Sequence, residues 1–100
     1  MGGKLVRDKI PEIIKSDGKE PITRILSDKE YINELEKKLD EEVLEYKADK
    51  SIEEMADVLE VLYAICEYHG YSIEELMRVK QKKQDERGAF KKRIFWEGNK

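Results

Sequence analysis

The sequence is poor in the residues from which many reactive sites are built, since 100 residues include one cysteine, Cys66, and one histidine, His69. A single cysteine excludes a disulfide within the chain, which is typical of a reducing compartment, so we predict a cytoplasmic protein. A zinc site of the Cys/His type and a Ser-His-Asp triad are both poorly supplied.

Long hydrophobic runs and a strong charge of one sign are also missing. No apolar stretch approaches the roughly 18 residues of a membrane span, and no signal-peptide pattern opens the chain. The formal net charge is −3 with both signs interspersed, and the isoelectric point is about 5.3. We therefore predict no membrane partner and no nucleic-acid polymer as partner.

What the sequence does contain is typical of a single all-α domain over residues 1–100. Charged residues make up 43% of the chain, and the apolar residues recur at helical spacing. Ser27, Ser51 and Ser72 are each followed three residues later by glutamate, a capping box that begins a helix. The predicted helices are 28–48, 52–68 and 73–87. Because the connections are short, successive helices should pack antiparallel.

The two ends of the chain are less regular. Residues 1–3 are an expected disordered start, and Pro11 is compatible with the first turn of a short helix. Residues 22–26 are β-branched and partly alternating, which predicts a short strand, with 89–96 as a second strand that pairs with it. The tail aromatics fit either core positions, the interpretation we favour, or a wall on which a base stacks; they are Phe90, Phe95 and Trp96.

The apolar seam of the first long helix contains a charge. Ile32, Leu35, Leu39 and Tyr46 follow the helical period, and the position between the last two is Glu42. A carboxylate where the period predicts leucine requires a partner or a function.

The second long helix has two apolar stripes instead of one. They are Ile52, Met55, Leu59, Leu62 and Cys66, and Val58, Val61, Ile65 and Tyr68. A helix that is apolar on two sides is covered on two sides, and a chain of this length supplies little surface for that purpose. We therefore predict a homodimer or a higher homo-oligomer; the alternative is a monomer with this helix at its centre.

The most informative pattern is E-E-x-x-E at residues 41–45, followed by E-x-x-D at 54–57. Residues three apart share a helix face, so Glu42 and Glu45, and then Glu54 and Asp57, should converge in a helical hairpin. An all-oxygen acidic site suits Mg²⁺, with Mn²⁺ as the alternative cation. The competing interpretation makes Glu54 only the capping-box glutamate, and Glu41 and Glu45 only a solvated face.

With these residues, the chain resembles the MazG-like, all-α nucleoside triphosphate pyrophosphatases. The carboxylate motif matches at Glu41, Glu42, Glu45, Glu54 and Asp57, with a short interval between its halves. The segments 4–11 (K-L-V-R-D-K-I-P) and 87–95 (R-G-A-F-K-K-R-I-F) resemble a small branch labelled phosphoribosyl-ATP pyrophosphohydrolase-like. The resemblance therefore covers nearly the whole chain.

The resemblance implies a MazG-like bundle whose four-helix core is completed by dimerisation. It implies that Mg²⁺ is held by Glu42, Glu45, Glu54 and Asp57, with Glu41 as a group that positions water. The implied reaction hydrolyses a nucleoside triphosphate, non-standard or surplus in the cell, to the monophosphate and pyrophosphate.

Such a reaction requires a proton acceptor and cationic groups for the phosphates. Glu41 and Glu45 are the candidate catalytic carboxylates. The candidate substrate-binding residues are Lys38, Lys80, Lys83, Arg87, Arg7, Lys9 and Arg93. Lys38 lies one turn before Glu42, so a plain ion pair within the helix also explains it. The alternative function is a non-catalytic helical module that binds a nucleotide or another protein.

Overall fold

The computed structural model describes residues 3–100, and within that range it contains four helices. They are α1 (Ile10–Ser16), α2 (Asp28–Asp49), α3 (Ile52–Tyr68) and α4 (Ile73–Arg87). The predicted all-α class is confirmed. The expected disordered start includes Met1 and Gly2, which lie outside the described residues. None of these four helices has both the length and the apolar character needed to cross a bilayer.

The serine half of each of the three predicted capping boxes is present. At Ser27 both halves of the capping box form, because its hydroxyl accepts from the Glu30 N–H at 3.3 Å and its own N–H donates to the Glu30 carboxylate at 3.1 Å. Ser51 and Ser72 accept from the third N–H of their helices at 3.3 Å and 3.1 Å. These caps explain why the three long helices begin where the sequence predicts.

α2 and α3 form a helical hairpin, which is the main tertiary contact of the chain. The turn between them contains Lys50 in the left-handed region at φ 58°, and it ends at the Ser51 cap. The buried centre of the hairpin is small: Leu35 of α2 and Val61 of α3 are its only buried apolar side chains within residues 3–100.

The first of the two apolar stripes of α3 is largely uncovered within residues 3–100. We call Ile52, Met55, Leu59 and Leu62 the outer face of α3. These side chains keep between 40% and 74% of their surface exposed. The two apolar stripes predict that other parts of the protein pack on both sides of this helix. Within residues 3–100 of one chain, such packing is present on one side.

The shape of the chain is elongated, with dimensions of 62 × 32 × 23 Å. Its radius of gyration is 17.9 Å, against about 13 Å for a compact 100-residue domain. The accessible surface is 9399 Å², which exceeds the surface of a compact monomer of this mass by about 3,500 Å².

The predicted two-stranded element is wrong, because neither 22–26 nor 89–96 is a strand. Ile22 is 100% exposed and Ile25 is 95% exposed, so the alternation in this segment does not separate a buried face from an exposed one. A strand needs a paired neighbour, which short local alternation cannot supply. The tail aromatics do not occupy the core expected for them; Phe90, Phe95 and Trp96 are all exposed.

Candidate carboxylate site

Glu42 is the buried charge of the hairpin. α2 places it on the face that packs against α3, two turns after Leu35, and it keeps 7% of its surface exposed. Its Oε1 lies 3.6 Å from the Nζ of Lys38, whereas its Oε2 is buried without a hydrogen-bond partner among residues 3–100. A buried carboxylate oxygen without a donor is costly, so this atom requires an explanation.

Two groups of carboxylates meet at Glu42. Oxygens of Glu41, Glu42 and Glu45 lie within 4.8 Å of one another, and so do oxygens of Glu42, Glu54 and Asp57. The first group arises from one turn of α2, and the second joins α2 to the first turns of α3. The structure therefore brings together all five carboxylates that the sequence singled out.

Glu54 is not explained by its capping position. Ser51 accepts from the Glu54 N–H, but the Glu54 carboxylate does not form the reciprocal bond to the Ser51 N–H. Instead its Oε2 is buried and has no hydrogen-bond partner in the described part of the chain. The side chain has turned away from the helix end and towards the carboxylate group.

The electrostatics of the cluster disfavour its full ionisation. Burial raises the pKa of Glu42, and the neighbouring charge of Glu45 raises it further. Burial also raises the pKa of Glu54, with the charges of Glu45 and Asp57 adding to the effect. Crowded carboxylates of this kind are stabilised by a cation, which favours their charged forms.

Two cations of the chain already contact the cluster. The Nζ of Lys38 lies 3.3 Å from Glu41 and 3.6 Å from Glu42, so the ion pair within α2 is present. The guanidinium of Arg7 reaches from the N-terminal segment to Asp57 at 3.0 Å and to Glu60 at 3.6 Å. Neither cation contacts Glu54.

A cleft of about 790 Å³ lies beside the cluster, between the N-terminal segment 4–10 and the α2–α3 hairpin. The predicted basic residues Arg7, Lys9 and Lys38 all line it, as do Glu42 and Asp57. Apolar side chains form much of the remaining wall; they include Leu5, Val6, Tyr31, Leu35, Val61 and Ala64.

The other predicted basic residues are not brought to this cleft within one chain. Lys80, Lys83 and Arg87 are exposed on α4, and Arg93 is exposed in the tail. Lys80 donates to Gln84, one turn further along the same helix, at 3.4 Å. A role for these four residues in substrate binding stays a prediction.

Two residues of the cleft were missed by the sequence reasoning. Glu60 shares Arg7 with Asp57, and its position one turn after Asp57 was the available signal. Tyr31 lies one turn before Leu35 and lines the same wall. Its role could not be inferred, because an aromatic residue at that spacing is equally typical of a core.

The residues present fit a hard divalent cation. The donor set consists of carboxylate oxygens alone, which Mg²⁺ and Mn²⁺ prefer over softer ligands. The two buried oxygens without partners, Glu42 Oε2 and Glu54 Oε2, belong to the same group of three carboxylates. Glu42, Glu54 and Asp57 could hold such an ion between them, and Glu45 lies in the neighbouring group that shares Glu42.

Comparisons with known proteins add little to this geometry. The chain is 56% identical over 45 residues to a protein of Mycolicibacterium smegmatis that is described only as an uncharacterized protein. The matched segment covers 45% of this chain and 46% of that relative, so the chain spans less than half the length of the protein it matches. No family model matches the chain, and no solved structure matches it.

Proposed function

We propose that the protein is a Mg²⁺-dependent nucleoside triphosphate pyrophosphohydrolase of the MazG-like type. The observation that carries the proposal is the buried Glu42 carboxylate, which has one oxygen without a partner and belongs to two carboxylate groups at once. The products would be a nucleoside monophosphate and pyrophosphate, and the substrates non-standard or surplus nucleotides.

The metal site would consist of Glu42, Glu45, Glu54 and Asp57. When bound, the ion would neutralise phosphate oxygens and lower the pKa of a coordinated water. Glu41 and Glu45 lie within the same cluster, and Glu45 is exposed, so either can accept a proton from an attacking water.

The cleft has room for the parts of the nucleotide that do not contact the metal ion. Its volume of about 790 Å³ lies within the usual range of small-molecule pockets, roughly 300–1,000 Å³. Arg7 and Lys9 line the cleft together with the carboxylates, so they can bind phosphate oxygens that a metal ion leaves free. The apolar wall around Tyr31 and Leu35 is suited to the nucleoside part.

We also propose that the protein is a homodimer. The outer face of α3 is exposed, although its period is that of a buried helix face. The excess surface of about 3,500 Å² relative to a compact monomer is large enough to supply one side of a stable interface.

One observation favours the alternative, a non-catalytic helical module. Lys38 and Arg7 already pair with Glu42 and Asp57, so part of the acidic charge is neutralised within the chain. Such a module would bind a nucleotide or a protein partner and would release no pyrophosphate.

The products of the reaction test the proposal. The protein is incubated with a panel of ribo- and deoxynucleoside triphosphates in Mg²⁺ or in EDTA, and the products are separated by anion exchange. We expect monophosphate and pyrophosphate in equal amounts, in Mg²⁺ only. Diphosphate and inorganic phosphate, or pyrophosphate that forms equally in EDTA, would contradict the proposal.

A further inference from the structure

The cleft beside the carboxylate cluster runs along the α2–α3 hairpin and has two chemically different ends. Glu42 and Asp57 line it at the end that holds the cluster. Tyr31 of α2 and Glu67 of α3 also line it, and each lies about three turns, or roughly 15 Å, along its helix from the cluster. A triphosphate, a sugar and a base joined end to end can bridge this distance.

The ring of Tyr31 is held in place from α3. Its centroid lies 6.0 Å from that of Tyr68, with an angle of 64° between the ring planes, which is an edge-to-face contact. This contact joins the first turns of α2 to the last turn of α3, so Tyr31 and Glu67 lie at the same end of the cleft. Tyr31 is only half-buried there, so its ring can stack on the flat face of a nucleobase.

Glu67 differs from the other acidic residues of α2 and α3 that line the cleft. Arg7 pairs with Asp57 and Glu60, and Glu42 belongs to the carboxylate cluster. Glu67 is exposed and has no lysine or arginine nitrogen within 4 Å among residues 3–100. Its carboxylate is therefore available to accept hydrogen bonds from a ligand in the cleft.

A carboxylate at this position distinguishes between the nucleobases. It offers acceptors only, and its two oxygens can bind two parallel N–H donors, as they do with a guanidinium. The Watson–Crick edge of guanine presents such a pair, the N1–H and the 2-amino group. Adenine and cytosine place an acceptor nitrogen beside their amino group, and uracil and thymine flank a single N–H with two carbonyl oxygens. A carboxylate beside the base therefore favours guanine.

We infer that the cleft selects nucleotides with a guanine-type base, which stacks on Tyr31 and donates its N1–H and 2-amino group to Glu67. The phosphates then face Arg7 and the carboxylate cluster. The class includes guanine nucleotides altered elsewhere on the ring or in the sugar, because such changes leave this edge intact. The inference rests on the proposed function for the orientation of the nucleotide, but its test measures binding and needs no turnover.

Calorimetric titration of the full-length protein with GMP, IMP and AMP in Mg²⁺ tests the inference, because IMP is GMP without the 2-amino group. The proposed reaction does not consume these monophosphates. We expect GMP to bind at least about tenfold more tightly than IMP, the effect of one hydrogen bond to a charged group. AMP presents an acceptor to the carboxylate and should bind more weakly still. Equal dissociation constants for GMP and IMP, or no binding of any of the three, would overturn the inference.

Glu67→Gln tests the acceptor directly. A glutamine amide combines an acceptor with a donor, the pattern that pairs with adenine. The substitution should weaken GMP and strengthen AMP, so that the preference for GMP over AMP falls at least about tenfold, whereas a general structural effect would weaken both. Glu53→Gln is the matched control, because Glu53 is exposed on the same helix and does not line the cleft. An unchanged preference in Glu67→Gln would contradict the assignment.

Tyr31→Leu tests the stacking contact. Because every base has a π-face, the loss of the ring should weaken GMP, IMP and AMP by a common factor of about ten and keep the ratio of GMP to IMP. Tyr31→Phe keeps the ring and should bind like the parent, and melting curves establish that both variants are folded. Unchanged binding in a folded Tyr31→Leu variant would contradict the placement of the base.

The base assignment and the reaction fail separately. Pyrophosphate release with equal kcat/KM for GTP and ITP would overturn the base assignment alone. Selective binding of GMP without pyrophosphate release from any nucleotide would overturn the reaction and support the base assignment.

Discussion

The guanidinium of Arg7 lies 3.0 Å from the carboxylate of Asp57, which is 50 residues away in sequence. This contact joins the N-terminal segment to the first turns of α3 and closes one side of the cleft. It also places a cation of the chain on a carboxylate that we assign to the metal site. A phosphate group bound in the cleft would lie within reach of the same guanidinium.

Replacing Arg7 should therefore affect turnover much more than stability. For Arg7→Gln we expect kcat/KM to fall at least tenfold, since a hydrogen bond to a charged group contributes roughly 1.5–3 kcal/mol. The ion pair is largely exposed, and such pairs contribute roughly 0–1 kcal/mol to folding. Steady-state kinetics and a melting curve measure the two effects.

Arg24→Gln is the matched control for Arg7→Gln, and it should also change the pH dependence of stability. The Arg24 guanidinium binds Glu30 at 2.8 Å and lowers the pKa of that carboxyl to about 2. A carboxyl pKa that is lower in the native state than in the unfolded state stabilises the native state at pH values above the unfolded-state pKa. This stabilisation is lost as the pH falls towards 2. Arg24→Gln should thus lower the melting temperature at pH 7 but not at pH 2, with kcat/KM unchanged.

Glu42→Gln should stabilise the metal-free protein. The substitution keeps the shape of the side chain and removes a buried charge that lies among other carboxylates. We expect a gain on the order of 1 kcal/mol in the free energy of unfolding, which corresponds to about 4–8 °C in Tm for a chain of this size. Glu36→Gln, at an exposed position of the same helix, should change Tm little. A large loss of stability in Glu42→Gln would contradict the electrostatic account.

Mg²⁺ should reverse the order of stability of the parent protein and Glu42→Gln. At 100 times its dissociation constant, a ligand that binds only the native state stabilises it by about 2.7 kcal/mol. We expect this gain for the parent protein and for Glu36→Gln, and we expect it to be lost in Glu42→Gln. Melting curves in EDTA and in increasing Mg²⁺ provide the measurement, and Na⁺ at equal ionic strength separates binding from screening.

The pH dependence of stability has a definite sign. Because burial raises the pKa of Glu42 above 4.5, the unfolded chain ionises first as the pH rises from that value. The native state therefore loses stability between pH 4.5 and its own higher pKa, and the loss is constant above it. The measurement is the unfolding free energy of the parent minus that of Glu42→Gln, in EDTA from pH 4.5 to 8. This difference should grow more negative as the pH rises and then level off.

The sequence predicted the helices well because their signals are local. Ser27, Ser51 and Ser72 each cap a helix that begins at the next residue, and the reciprocal glutamate bond of the capping box forms at Ser27. The convergence of Glu42 with Glu54 and Asp57 was also predictable, since helical spacing and a short turn leave the hairpin few alternatives.

The features that depend on distant contacts were beyond the sequence. Ile22 and Ile25 resembled a strand, but no partner strand forms, and Arg24 between them pairs with Glu30 of α2 instead. Among the candidate cations, nothing local distinguishes Arg7, which reaches Asp57, from Lys83, which lies exposed on α4. That choice is made by the path of the N-terminal segment, a tertiary property.

The most direct test of the account is pyrophosphate release by the parent protein and by Glu45→Gln, each in Mg²⁺ and in EDTA, at a saturating concentration of the best nucleotide. Glu45 is exposed and its charge repels Glu42 and Glu54, so the metal-free variant should be at least as stable as the parent. We predict Mg²⁺-dependent release by the parent and by Glu36→Gln, and at least a hundredfold lower kcat in Glu45→Gln. Normal turnover in a folded Glu45→Gln variant would contradict the carboxylate site as the seat of the reaction.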